Sequence, residues 1–132
     1  MKVIVDTCVW SNALRNQLQK PIQKDLLLEQ LIEDDQEVML GPIRQELLSG
    51  IKNEKKFDEL KSKLQWYDDF LIKTTEYELA ASLYNKMKSN GIQGSHIDFL
   101  ICAVALNHDL GIYTYDKDFF SFASVFFFFL LQ

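Results

Sequence analysis

A chain of 132 residues, 48 % hydrophobic and 25 % charged, can bury a core without disulfide or metal staples, and its size suits one domain, residues 1–132. The net charge of −5 argues against a strongly basic nucleic-acid surface, and two cysteines without C-x-x-C spacing exclude a disulfide framework and favour a reducing, cytoplasmic setting. The longest apolar run, Val125 to Leu131, falls far short of the roughly 20 residues of a membrane helix, and Asp6 breaks the first apolar run too early for a secretory leader, so no membrane partner is expected.

Lys2 to Asp6 reads as a short buried strand, and Thr7 to Asn16 as a helix with Trp10 and Leu14 one turn apart. Pro21 opens a second helix through about Glu33, with Ile22, Leu26, Leu28, Leu31 and Ile32 on its apolar face. Val38 to Leu40 is a candidate strand stopped by Gly41-Pro42, and Pro42 suits the first turn of a third helix through Leu48. A charged helix follows from Asn53 to Leu64, then a weak strand at Phe70-Leu71-Ile72. Thr74 or Thr75 is placed to cap the next helix, whose stripe is Tyr77, Ala80, Tyr84 and Met87. Ser95 begins an almost wholly apolar helix, Gly111 to Asp116 forms a strand, and Asp118 starts a short helix. Val125 to Leu131 reads as the last strand, either fully buried or part of an oligomer face. Strands alternating with helices predict an α/β fold with a short, mainly parallel sheet of about five strands, whose ligands bind beyond the carboxyl ends of the strands.

Acids stand where that topology would gather them. Asp98 lies within the apolar run Ile97 to Leu106, where an unpaired carboxylate would cost several kcal/mol or take up a proton. Asp6 and Asp116 each close a strand, and Glu46 lies on the helix after a third. Each has a plain structural reading. Asp6 or Thr7 can cap the first helix, Glu46 can be a solvated helix residue, and Ser95-x-x-Asp98 has the form of a capping box. One of Asp116 and Asp118 can serve only an Asx-turn. Taken together, four or five acids could hold one or two Mg²⁺ or Mn²⁺ ions through oxygen ligands, as phosphodiester hydrolysis uses them. Setting Asp6, Glu46, Asp98, Asp116 and Asp118 aside leaves 14 acids against 14 Lys plus Arg, a balance that permits an RNA substrate.

The motifs Val3-Ile4-Val5-Asp6-Thr7-x-x-Trp10, Ile43-Arg44-Gln45-Glu46-Leu47-x-x-Gly50, Asp98-x-x-Ile101-x-Ala103-x-Ala105 and Gly111 to Phe119 resemble, in order and spacing, those of PIN-domain ribonucleases, specifically the toxin of a VapBC-type bacterial toxin–antitoxin pair. The resemblance implies a three-layer domain and a single-stranded-RNA endonuclease using Mg²⁺ or Mn²⁺. Asp6, Glu46, Asp98 and Asp116 would take its metal-binding and catalytic positions, and Asp118 that of a fifth ligand or a supporting residue. Thr7 and Thr114 match its hydroxyl positions beside the acids, and Ser95 would support Asp98 through the box. It further implies a homodimer, inhibited by a small cognate antitoxin.

Rival readings are weaker. His96 and His108 are 12 residues apart on or near one helix, about 18 Å, too far to share a phosphate. Cys102, one turn after Asp98, reads as core. Lys52, Lys55, Lys56, Lys61 and Lys63 are interleaved with Glu54, Asp58 and Glu59, as on a solvated helix. Trp10, Trp66 and Tyr67 could stack on bases or seat an antitoxin helix, with core packing the default. A haloacid-dehalogenase-like phosphohydrolase would want a second Asp where Cys8 stands. A catalytically silent PIN module would have no need of all four acids.

Overall fold

The computed structural model describes residues 1–16, 25–126 and 128–131. Three-residue runs of apolar side chains make the central strands. β1 (Val3–Val5) and β3 (Gly111–Tyr113) are buried at every position and pair in parallel, Val3 with Gly111 through Val5 with Tyr113. β2 (Glu37–Val38) flanks β1, and β4 (Phe129–Leu131) flanks β3, giving a four-stranded parallel sheet in the order β2-β1-β3-β4. The connection direction reverses between β1 and β3, which makes their carboxyl ends the expected ligand crevice.

Seven helices among the described residues flank the sheet: α1 (Thr7–Asn16), α2 (Leu26–Glu33), α3 (Gly41–Leu48), α4 (Glu54–Leu64), α5 (Thr74–Ser89), α6 (His96–His108) and α7 (Asp118–Phe126). Phe99 to Ala105 are buried without a break, so α6 has no solvent face over that stretch. Its entrance is tight. A Cβ on Gly94 would lie 2.8 Å from the Phe122 ring and 2.9 Å from that of Phe99, two fully buried side chains.

Several expectations are corrected. The expected helix start at Pro21 and Ile22 lies outside the described residues, but α2 begins at Leu26, because Asp25 is extended and accepts the Leu28 amide as its cap. Leu26 is 72 % exposed, leaving Leu28 and Leu31 to the core. Phe70 to Ile72 is no strand. One bridge joins Met39 to Asp69, and Arg44 then gathers the Leu64 and Tyr67 carbonyls and the Asp69 carboxylate into a turn. The sheet therefore has four strands among the described residues rather than about five.

Leu40 leaves β2 to become the N-cap position of α3, which the Gly41-Pro42 pair begins. Neither Thr74 nor Thr75 caps α5, since Lys73 holds that position and the Thr75 hydroxyl instead serves Glu76. Tyr77 is 53 % exposed, and Glu76, Ala80, Leu83 and Met87 face inward. Val125 and Phe126 end α7 rather than begin a strand, because Phe119, Phe122 and Phe126 recur at helical spacing and all three are buried. β4 is not fully buried, with Phe129 59 % exposed.

Glu76 is a buried carboxylate that the sequence did not flag. Its Oε2 accepts from the Thr75 hydroxyl at 2.6 Å and its Oε1 lies 2.6 Å from Nε2 of His108, joining α5 to the last turn of α6. The Thr75 hydroxyl first, and then His108, lower its pKa from 4.5 to about 2. A carboxyl more acidic in the fold than in the unfolded chain stabilises above its unfolded value and loses that contribution as pH falls through its folded one. Glu76→Gln should therefore lower the melting temperature at neutral pH, with the gap from wild type closing between about pH 4.5 and about pH 2. A gap independent of pH would contradict this account.

Candidate active site

The carboxyl end of β1 delivers Asp6, which is only 7 % exposed. Its amide donates to the Tyr113 carbonyl across the sheet, and its own carbonyl accepts from the amides of Val9 and Trp10, so it opens α1. The Asp6 carboxylate is held on both oxygens. Oδ1 accepts from the Thr7 amide at 2.8 Å, and Oδ2 accepts from the hydroxyl of fully buried Thr114 at 2.7 Å and from the Cys8 thiol at 3.6 Å.

Two threonines extend the network to the other acids. The Thr7 hydroxyl donates to Oε1 of Glu46 at 2.7 Å, tying α3 to the start of α1. The Thr114 hydroxyl accepts from the Asp116 amide at 2.9 Å, and Oδ1 of Asp116 accepts from the Asp118 amide at 2.9 Å, opening α7. Asp118 is exposed and joins this network through its amide, as in the turn reading. On α6 the capping box is complete. Oδ2 of Asp98 accepts from the Ser95 amide, and the Ser95 hydroxyl accepts from the Asp98 amide, both at 3.0 Å.

The capping readings thus hold, yet they do not exhaust these acids. Glu46, Asp98 and Asp116 each have one oxygen held by the chain and a second without a hydrogen bond among the described residues. Burial first, and then the negative charges of Asp6 and Asp116, raise the Asp98 carboxyl above its ordinary range, against the opposing bonds to Ser95. Burial and the charges of Asp98 and Asp6 likewise push the Cys102 thiol up, which places it beneath the acids as an inert core residue. The Arg44–Asp69 ion pair and the His108–Glu76 hydrogen bond lie elsewhere.

Among the described residues, no three Asp, Glu, His or Cys side chains form a ready-made metal cage. The donor chemistry nevertheless fits a hard cation. The free atoms are carboxylate oxygens, the charges repel one another, and Mg²⁺ needs only one or two protein carboxylates with water completing its shell.

Cys8 and Asp25 belong to this edge and were not read as such from sequence. The Cys8 sulfur accepts from the Tyr115 amide at 3.4 Å and lies 3.5 Å from the Thr114 hydroxyl, joining the exits of β1 and β3. Burial chiefly raises its pKa. Asp25 accepts from the Leu28 amide and from the hydroxyls of Tyr113 and Tyr115. Burial alone would raise its carboxyl, but these donors hold it below the ordinary range. Their only sequence signal was the alternation of Tyr113 and Tyr115 about Thr114.

The two histidines fall elsewhere, but two of the lysines border Glu46. His96 is exposed and stacks on Tyr84 at 4.7 Å, while His108 bonds Glu76. Trp10 is buried against Tyr67, and Trp66 is 86 % exposed. Lys56 and Lys63 line a groove of about 380 Å³ with Leu14, Glu46, Ile51 and Leu60. Lys52 borders a separate hollow.

Residues 3–125 match the family model described as PIN domain, while no curated protein matches the chain significantly in sequence. Among solved structures, VapBC2 from Rickettsia felis bound to a DNA fragment from its promoter aligns with a TM-score of 0.75 at 18 % identity, covering 99 % of this chain and 98 % of that one. FitAcB from Neisseria gonorrhoeae aligns at 0.70 and 17 % identity, covering 98 % and 96 %. VapBC-1 from nontypeable Haemophilus influenzae aligns at 0.71 and 14 % identity, covering 100 % and 98 %. At these identities the likeness is one of fold.

Thr114 is the common partner of Asp6 and Asp116, so Thr114→Val keeps the shape and removes both bonds. Leaving the Asp116 amide unpaired and Oδ2 of Asp6 with only the weak Cys8 thiol bond should cost about 1–3 kcal/mol in denaturant unfolding, with the slope of the transition unchanged. An unshifted midpoint would mean that the hydroxyl does not organise these acids.

Proposed function

The chain belongs to the PIN domain family, and from that premise we propose that it is a metal-dependent endoribonuclease cutting single-stranded RNA, the toxin of a toxin–antitoxin pair. PIN domains are generally nucleases, which supports a hydrolase acting on nucleic acid. The observation that carries the finer reading is the convergence of acids around β1 and β3. Thr7 and Thr114 tie Asp6 to Glu46 and Asp116, and Asp98 feels the charges of Asp6 and Asp116.

Asp6, Glu46, Asp98 and Asp116 would hold one or two Mg²⁺ or Mn²⁺ ions, with Asp118 the least engaged candidate. When bound, such an ion acidifies a water toward neutral pH and neutralises charge on a phosphodiester. The chain supplies the alignment. Thr114 fixes Asp6 against the Asp116 turn, Thr7 steadies one Glu46 oxygen, and Ser95 holds one Asp98 oxygen, leaving the second oxygen of the last two acids free to bind. Hydrolysis by activated water would leave a 5′-phosphate and a 3′-hydroxyl.

Likeness to the VapBC and FitAcB structures supports a small antitoxin as partner, while the homodimer and the cytoplasmic setting rest on the sequence resemblance alone. No helix among the described residues is long and apolar enough to cross a membrane. The phosphohydrolase reading gains nothing from the family match, and a silent module leaves the free carboxylate oxygens unexplained.

Purified protein incubated with tRNA, rRNA and mRNA should cleave at least one of them with Mg²⁺ or Mn²⁺ and none with chelator. Chelator-resistant cleavage, or hydrolysis confined to small phosphate monoesters, would refute the mechanism. Asp98→Asn should reduce cleavage by about 100-fold or more, at or beyond the upper end for even an outer-shell partner of a metal. A carboxyl whose folded pKa is raised destabilises the fold at pH values above it. Asp98→Asn should therefore melt no lower than wild type at neutral pH without added metal. Millimolar Mn²⁺ should raise the melting temperature of wild type and leave that of the variant nearly unchanged. Full activity in this variant would remove Asp98 from the site.

A further inference from the structure

Tyr115 is 43 % exposed, yet it is fastened like a core residue. Its hydroxyl donates to Oδ2 of Asp25 and is also hydrogen-bonded to Asn12. Its amide donates to the Cys8 sulfur at 3.4 Å, and its ring meets that of Tyr113 edge to face, with centroids 5.7 Å apart at 89°. Asp25 is fixed in turn, by the Leu28 amide at 2.9 Å and the Tyr113 hydroxyl at 2.7 Å. The polar atom of the Tyr115 side chain is therefore occupied, which leaves the ring as the part of it available to a ligand. Thr114 and Asp116, both in the acid network, are its chain neighbours, with consecutive Cα atoms about 3.8 Å apart.

An aromatic ring immobilised before binding loses little further freedom on contact, and stacking on it suits any base, since every base has a π-face. Single-stranded RNA exposes its bases for such contacts. Trp66 is more exposed, but it stands in the turn after α4, and no hydrogen bond among the described residues ties its side chain to the acids.

We propose that Tyr115 is the platform on which a base of single-stranded RNA beside the cleaved phosphate stacks, and that Asp25 is the positioning residue that holds the ring. This deepens the nuclease reading and rests on it. Cys8 and Tyr113 complete the mount, one fixing the backbone and the other packing at right angles to the ring.

The test measures cleavage of a short fluorescein-labelled single-stranded RNA, and its binding by anisotropy in the Asp98→Asn background. Tyr115→Ala should raise KM and weaken binding by about 5- to 150-fold, the range for one stacked base, with kcat changing far less. Tyr115→Trp should largely restore binding. Asp25→Asn should weaken it less than Tyr115→Ala, since the ring remains. RNAs with a single abasic nucleotide at each position supply the decisive readout. One position should weaken binding to the parent and have no further effect on Tyr115→Ala, a coupling that a merely structural tyrosine would not produce. Cleavage by wild type with no coupled position overturns the stacking platform and leaves the nuclease reading intact. Absence of RNA cleavage by wild type overturns that reading and this inference with it.

Discussion

Negative charge concentrated at the junction of β1 and β3 is the constraint around which this molecule is organised. Burial first, and then the charges of Asp6 and Asp116, raise the Asp98 carboxyl, and a fold that merely needed caps could have used neutral side chains. The repulsion is contained by position. Asp6, Asp98 and Asp116 occupy the amino-terminal ends of α1, α6 and α7, where free amides and the helix dipole favour a carboxylate. The parallel register that pairs Val5 with Tyr113 then brings the residue after each strand, Asp6 and Thr114, into hydrogen-bond contact.

Capping and a catalytic role compete as explanations of the same residues only if a carboxylate must serve one of them, and the geometry leaves room for both. In the Ser95–Asp98 box and the Asp116 turn, one carboxylate oxygen completes the helix start while its twin keeps a lone-pair face for a ligand. The bidentate shape of the carboxylate makes this division possible. A neutral serine or threonine cap would satisfy the helix and leave no charge behind. Glu46 reaches the same condition by another route, from the middle of α3, where the Thr7 hydroxyl rather than a backbone amide fixes one oxygen.

What was legible in the sequence is what repeats or interrupts a pattern. Asp98 announced itself by breaking an apolar helix, and β1 and β3 by unbroken apolar runs ending in acids. The chain order of strands and helices carried the parallel sheet. Long-range pairs left no such trace. Glu76 looks like any charged residue in a first turn, and only the packing of α5 on α6 brings it to His108. Asp25 looks like a simple cap, and its bonds to Tyr113 and Tyr115 span 88 and 90 residues. The Phe70 segment had the composition of a strand, but Arg44 turns the chain away after one bridge. The short helix from Asp118 was legible, but Val125 to Leu131 was read as one strand by composition, although the spacing of Phe119, Phe122 and Phe126 already carried the helix to Phe126.

The sheet's two borders are unequal. β2 contributes only two residues before the chain turns into α3, whereas β4 presents Phe129, Leu130 and Leu131, with neither the lysine, the proline nor the bulge that usually guards an edge. Among the described residues no strand lies beyond it, so its outer backbone donors and acceptors can template a further strand. A chain whose net charge of −5 keeps copies apart thus also carries a short edge through which they can adhere.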